Sequence, residues 1–140
     1  MLLAIDCGNT NVVFSVFDSD TLIVKWRSST NADKTSDDYS IWLEQLLQRE
    51  KIQLNDINYV IISSVVPNKN ETLRRLCISL FKIEPSFIGS SEINTNLSIQ
   101  INNPNELGAD RVVNAVAAHH DYGGPLIIID FGTATTFDII

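Results

Sequence analysis

Two short motifs of the same form, far apart in the chain, carry the residues best suited to chemistry. The first reads Ile5-Asp6-Cys7-Gly8-Asn9-Thr10, and the second reads Ile129-Asp130-Phe131-Gly132-Thr133-Ala134. Each follows an apolar run and precedes another strand-like segment. This pattern predicts the tip of a β-hairpin, with a carboxylate at the strand end and a glycine in the turn.

Such a tip suits a phosphate group and the cation that accompanies it. Successive N–H groups in a glycine-containing turn form a nest that binds anions, whereas an aspartate attracts a hard cation. Two hairpins would have to provide any nucleotide site, because the chain has neither a G-x-x-x-x-G-K-[ST] loop nor a G-x-G-x-x-G motif. Asp138 could reach a bound ion or face solvent on an edge strand, and we do not assign it to the site. Further side-chain donors in or beside the turns are Asn9, Thr10, Thr133, Thr135 and Thr136.

A third cluster, Gly108-Ala109-Asp110-Arg111, stands where a polar loop is predicted to give way to a helix. Its small residues leave room for a ligand, and a helix start offers N–H groups without helical partners. Asp110 could accept a proton from an attacking hydroxyl, as the base does in phosphoryl transfer. Arg111 could hold a carboxylate with its forked donors. On spacing alone, the commoner role of Asp110 is to complement the helix dipole.

The elements that must position these residues form an α/β pattern. Three short runs, 2–6, 12–17 and 22–26, predict an antiparallel meander. Further strands are predicted over 58–66, 86–88 and 126–130, the first and last of them buried, and 92–106 is predicted to be a loop. Apolar residues at helical spacing predict helices containing 39–47, 73–81 and 109–120. Strands that are first antiparallel and then connected through helices imply a mixed β-sheet with helices on its faces.

The composition excludes several classes of protein. The chain has 140 residues, 44% of them hydrophobic, and a net charge of −7, which fits one folded domain and no disordered chain. No Lys/Arg stripe could bind nucleic acid, and no apolar run approaches the ~18–20 residues of a membrane span. The amino terminus predicts a strand and no signal peptide. With Cys7 and Cys77 alone, no disulfide framework is expected, so we predict a cytoplasmic protein.

Together these motifs resemble type III pantothenate kinase, a family of the acetate-kinase, sugar-kinase, Hsp70 and actin superfamily. The matching segments follow the family's order along the whole chain: 6–11, 63–67, 103–104 with 108–111, and 130–136. The resemblance implies an α/β fold of the ribonuclease H-like, actin-like ATPase type, with helices on both faces of the sheet. It also implies a first domain over 1–122 and the opening β-hairpin of a truncated second domain over 123–140.

The same resemblance implies ATP-dependent phosphorylation of pantothenate to 4'-phosphopantothenate, the first step of coenzyme A biosynthesis, by a homodimer. Asp110 would be the proton acceptor, and Arg111 would hold the substrate carboxylate. Asp6 would lie near Mg²⁺, and Asp130 would bind a monovalent cation, K⁺ or NH₄⁺. The residues implied to bind ATP are Asp6, Cys7, Gly8, Asn9, Thr10, Asn11, Val12, Val13 and Thr133. The residues implied to bind pantothenate are Gly108, Ala109, Asp110, Arg111 and the residue at Ile101.

Two features depart from the family pattern. The family usually has a tyrosine before Asp-Asn-Pro that lines the pantothenate site, whereas this chain has Ile101 before Asn102-Asn103-Pro104. Family chains are also much longer, with a second domain that supplies the adenine site, so we expect the isolated chain to phosphorylate little or nothing. Two alternatives stay open: a non-catalytic relative that binds pantothenate or nucleotide, and a kinase for another small hydroxy acid.

Overall fold

The predicted order of strands and helices is confirmed in a computed structural model, which describes residues 1–30, 33–90, 92–103, 107–132 and 134–140. A short 3-10 turn, Leu54–Asp56, precedes the fourth strand. The elements are β1 (Leu2–Cys7), β2 (Asn11–Asp18), β3 (Thr21–Ser29), α1 (Ser36–Arg49), β4 (Tyr59–Ser64), α2 (Pro67–Phe81), β5 (Ser86–Phe87), α3 (Ala109–Tyr122), β6 (Ile127–Phe131) and β7 (Thr135–Ile139).

Five of the strands form one mixed sheet in the order β3-β2-β1-β4-β5. β1, β2 and β3 pair antiparallel, whereas β1 with β4 and β4 with β5 pair parallel. Because side chains alternate along a strand, Leu3, Ile5 and Cys7 share one face of β1 and Asp6 lies on the other. The central strand therefore both closes the core and presents Asp6 on the opposite face.

The hydrophobic core lies between this sheet and the helices α1 and α2. Phe14 is its centre, with a T-shaped contact to Trp42 at 5.3 Å between ring centroids and a tilted contact to Tyr39 at 5.7 Å. Thr35 is the N-cap residue of α1, and its side chain forms a capping box with Asp38. The buried core residues are Leu3, Ile5, Cys7, Val12, Phe14, Val16, Tyr39, Leu43, Leu47, Ile52, Ile57, Val60, Ile62, Leu73, Leu76 and Cys77.

α3 lies on the other face of the sheet, against β4, so helices cover both faces as predicted. Its Val112 and Ala115 are buried. Val116 and Ala117, whose helical spacing predicts an apolar stripe shared with Val112, are exposed. No helix in the described part of the chain is long and apolar enough to cross a membrane.

β6 and β7 form a separate two-stranded antiparallel sheet. The prediction of a buried strand over 126–130 is wrong here, since Ile127 and Ile129 are exposed. Phe131, Phe137 and Ile139 are exposed as well. These five apolar side chains share one face of the hairpin, and its other face is turned toward α3. No described element buries these five side chains, and two strands cannot bury both of their faces alone.

Candidate functional site

The turn of the first hairpin is held in place by a residue from the end of β3. Gly8 N–H donates to Asn11 O at 3.0 Å and closes the turn. Thr30 Oγ1 donates to Gly8 O at 2.7 Å, and Thr30 N–H donates to Thr10 O at 2.9 Å. Thr30 is buried, whereas Asn9 and Thr10 are exposed at the tip. Two turn carbonyls thus point into the protein, and the tip faces solvent.

The predicted ATP-binding residues of this hairpin differ in what they can offer a ligand. Cys7 and Val12 are fully buried in the core, so their side chains cannot reach a ligand. Only the backbone groups of these two residues could contact one. Val13 pairs with Asp6 across the two strands and lies on the same face as it. Asn9 and Thr10 can present side-chain donors. Thr133, the predicted contact from the second hairpin, lies outside the described residues.

Asp6, beside this turn, is affected by its burial and by carboxylates from two other elements. Desolvation by the surrounding protein is the main cause that raises the pKa of Asp6, although one side of the residue stays open to solvent. The Ser63 hydroxyl lowers this pKa, and the negative charges of Asp110 and Asp130 raise it further. The charges of Asp110, at the start of α3, and of Asp130, on β6, thus act on Asp6 from two other elements.

The start of α3 fixes the orientation of Asp110. Arg111 N–H donates to Asp110 Oδ1 at 2.8 Å, so one carboxylate oxygen is held against the helix backbone. Gly108 is the N-cap residue, and a Cβ at this position would collide with Asp110 Oδ1 and lie 3.4 Å from Val65 Cγ1. A side chain at position 108 would therefore force Asp110 out of this orientation.

Arg111 is paired in a way that the sequence did not predict. Its Nε donates to Asp138 Oδ1 at 2.7 Å, and its Nη2 donates to the same oxygen. The hydrogen bond and charge of Asp138 raise the pKa of Arg111. Of the two alternatives left open for Asp138, the solvent-facing one is wrong, because its side chain is 11% exposed. Side chains alternate along β7, so Asp138 lies on the same face as Thr136, and it pairs with Ile128 on the neighbouring strand. This alternation could have indicated that Asp138 lies on the face turned toward α3.

Asp130 also has a contact that sequence reasoning missed. Asn114 Nδ2, from the second turn of α3, lies 3.5 Å from Asp130 Oδ2. Asn114 follows Asp110 by one helical turn, so both side chains lie along one side of α3. A polar residue one turn after Asp110, within the apolar run 112–118, is the signal that could have found it.

A cavity of about 800 Å³ lies between α3, β7 and the segment 96–101. Arg111 and Ile101 both line it, so the structure brings two of the predicted substrate residues together. Gly108, Ala109 and Asp110 are not part of its lining. The remaining wall is mostly apolar and includes Leu97, Ile99, Leu107, Val112, Pro125 and Phe137. Such a cavity fits a small molecule with an apolar body and one polar end.

The carboxylates do not form a preformed metal centre by themselves. Among the described residues, no three His, Cys, Asp or Glu side chains are grouped closely enough to hold a metal ion. Mg²⁺ in phosphoryl-transfer sites usually takes one or two carboxylates and completes its shell with phosphate oxygens and water. The oxygen donors of Asp6 and Asp130 fit cations that arrive with a phosphorylated ligand.

Comparisons with known proteins identify relatives of this chain. A family model described as type III pantothenate kinase matches residues 2–140. A protein of that name from Paramagnetospirillum magneticum is 54% identical over all 140 residues, which cover 54% of it. Its namesake from Rhodospirillum rubrum is 51% identical over 140 residues, or 54% of its length. One from Geobacillus kaustophilus is 49% identical over 137 residues, which are 98% of this chain and 53% of the relative. The chain thus spans about half the length of the curated relatives it matches.

Proposed function

The chain belongs to the type III pantothenate kinase family, and from this premise we propose that its protein phosphorylates pantothenate with ATP. The product would be 4'-phosphopantothenate, in the first step of coenzyme A biosynthesis. One observation carries the proposal: α3 anchors Asp110 at its start and contacts Asp130 through Asn114, and the charges of both carboxylates act on Asp6. This arrangement supplies a base and carboxylates that attract cations, which are the parts that phosphoryl transfer needs.

In the proposed reaction Asp110 acts as the general base. The substrate hydroxyl oxygen attacks the γ-phosphorus of ATP, its proton passes to Asp110, and the bond to the bridging oxygen breaks to release ADP. Arg111 N–H holds Asp110 Oδ1, which leaves Oδ2 to accept the proton. Gly108 keeps this carboxylate in place because any larger residue would displace it.

The two hairpins would bind the phosphates and the cations. In this proposal the exposed tip at Asn9 and Thr10 holds phosphate oxygens, and Thr133 does so from the second hairpin. Asp6 would hold Mg²⁺, and Asp130, beside Asn114, would hold K⁺ or NH₄⁺. When bound, these cations offset the negative charge of the transferring group.

We further propose the domain division and the homodimer that the resemblance implies, together with a cytoplasmic location. Residues 1–122 would form the first domain, and 123–140 would open a second one. The exposed apolar face of β6 and β7 supports this division, because such a face normally packs against further structure. Two buried free thiols, Cys7 and Cys77, support a reducing, cytoplasmic location. A homodimer remains part of the same proposal.

A non-catalytic relative that binds pantothenate or nucleotide is the second candidate. The observation that favours it is the pairing of Arg111 with Asp138, which neutralises the charge meant for the substrate carboxylate. Ile101 also favours this candidate, since it lines the cavity at the position where the family usually has an aromatic ring. The retention of Asp110 in an anchored orientation counts against this candidate.

The test uses a chimera in which this chain replaces the matching half of the Paramagnetospirillum relative. We expect pantothenate-dependent release of ADP, and we expect Asp110→Asn to lower kcat by about 10²–10⁴-fold while ATP binding is unchanged. Asp121→Asn, on the exposed end of the same helix, is the matched control. Turnover of Asp110→Asn at the parental rate would refute the role of Asp110. A chimera that binds pantothenate without releasing ADP would favour the non-catalytic candidate.

A further inference from the structure

The pair formed by Arg111 and Asp138 joins the start of α3 to the end of β7. Arg111 Nε and Nη2 both donate to one oxygen, Asp138 Oδ1. The two side chains are unequally accessible, with 35% of Arg111 exposed and 11% of Asp138. Asp138 is therefore the enclosed member of the pair, and Arg111 is the member that a ligand can approach.

The geometry of the pair leaves donors for a ligand. An arginine has five N–H donors in one rigid plane. Asp138 engages Nε and Nη2, and the two N–H groups of Nη1 take no part in that contact. Because the guanidinium is planar, fixing Nε and Nη2 also fixes the direction in which Nη1 points.

Both members of the pair line the cavity of about 800 Å³. The other titratable group among the cavity's lining residues is His119, two turns further along α3. With Arg111 neutralised by Asp138, an anionic ligand would be held by directed hydrogen bonds and little by net charge. Directed donors of this kind distinguish a carboxylate from an uncharged alcohol of the same shape.

We propose that Asp138 is a positioning residue, which holds the guanidinium of Arg111 so that its remaining donors meet the carboxylate of the substrate in the cavity. This inference rests on the proposed function, in which Arg111 binds that carboxylate. It adds a role for β7, the strand that follows the second phosphate-binding turn. Substrate recognition and phosphate binding would then share one hairpin.

The test is calorimetric binding of pantothenate and of pantothenol, its alcohol analogue, to the chimera in which this chain replaces the matching half of the Paramagnetospirillum relative. We expect the wild-type chimera to prefer pantothenate, and Asp138→Ala to lose about tenfold in affinity for pantothenate with little change for pantothenol. Asp138→Asn keeps an acceptor oxygen and is expected to stay within about threefold of wild type. Asp138→Glu keeps the charge but moves the guanidinium, so it is expected to lose the preference.

Each outcome decides the inference. Asp121→Ala is the control, since it removes an exposed aspartate that contacts His120 at the far end of α3. If wild type prefers pantothenate and Asp138→Ala keeps that preference, the inference is overturned and the proposed function stands. If Asp138→Ala does not fold, loss of the preference in Asp138→Glu supports the inference and its retention overturns it. If wild type binds neither compound, or binds both equally, the role proposed for Arg111 fails and the inference fails with it.

Discussion

The first and second hairpins share the I-D-x-G motif but lie in opposite surroundings. β1 and β2 are interior strands of a five-stranded sheet, and Cys7, directly after the first aspartate, is fully buried. Among the described strands, β6 and β7 pair with each other alone, and Phe131 at the equivalent position is 82% exposed. The preceding isoleucines differ likewise, with Ile5 2% exposed and Ile129 49%.

This contrast separates what a motif determines from what its surroundings determine. The motif specifies a turn and the place of a carboxylate at a strand end, and both hairpins have these. Burial depends on elements from elsewhere in the chain, and α1 and α2 supply them for the first hairpin. The sequence therefore gives the second hairpin an apolar face, but no described element buries that face.

The largest expected difference between the hairpins is in the reactivity of a thiol at equivalent positions. We expect the thiol of Phe131→Cys to react with a disulfide reagent on the order of a thousandfold faster than Cys7 or Cys77 in the folded chain. Burial raises the pKa of Cys7, and it raises the pKa of Cys77 to about 12, so few thiolates form at neutral pH. Absorbance of the released thiolate at pH 8 measures the rates.

The control is Phe131→Ser, which should show no fast thiol. All thiols should react quickly in urea, because unfolding removes the protection of the two native cysteines. Two fast thiols in the folded wild-type chain would contradict the buried first hairpin and with it the contrast.

The next largest difference is in stability when an aromatic residue is truncated. Phe14→Ala should cost about 3–5 kcal/mol of unfolding free energy, because it opens a cavity against Tyr39 and Trp42. Phe137→Ala, on the 62% exposed side chain of the second hairpin, should stay within about 0.5 kcal/mol. Urea unfolding followed by tryptophan fluorescence compares the two variants. Equal losses would mean that the second hairpin is as well packed as the first.

The smallest expected effect concerns the Thr30 clamp, which is the pair of hydrogen bonds from Thr30 to Gly8 O and Thr10 O in the first turn. Thr30→Val removes the donor to Gly8 O and should cost about 1 kcal/mol of unfolding free energy. Amide exchange at residues 8–11 should become faster in this variant while the rest of β1 is unchanged. Ser29→Ala, at the exposed neighbouring position on β3, is the control. Unchanged exchange in the turn of Thr30→Val would show that the turn holds its shape without the clamp.

Local features of the fold were predictable from the sequence because their causes are local. The Thr35 cap of α1 and its stripe of Tyr39, Leu43 and Leu47 follow from residues three or four apart. The parallel pairing of β1 with β4 was not predictable, because those residues lie far apart in the chain. The predicted strand over 58–66 is too long, since Ser64 Oγ accepts from Val66 N–H and helps to turn the chain before α2.

The candidate site shows the same division. Asp6, Asp110 and Asp130 could be named from motifs, because the residue types around each aspartate indicate a turn or a helix start. Asp138 and Thr30 could not, since each acts on a partner many residues away and has no motif of its own. Their roles depend on packing between elements, which periodicity along one strand or helix does not contain.

The central place of β1 has a consequence for how the chain is made. β1 is synthesised before the strands that flank it, and β2 and β3 can add to one of its edges as local hairpins. Its other edge has no partner until β4 is synthesised, about 2–7 s after β3 at ~5–20 residues per second. During that interval the edge is unpaired, and Leu3, Ile5 and Cys7 lack the cover of α2. Open apolar edges recruit other strands, so the nascent chain is more prone to aggregation than the finished fold.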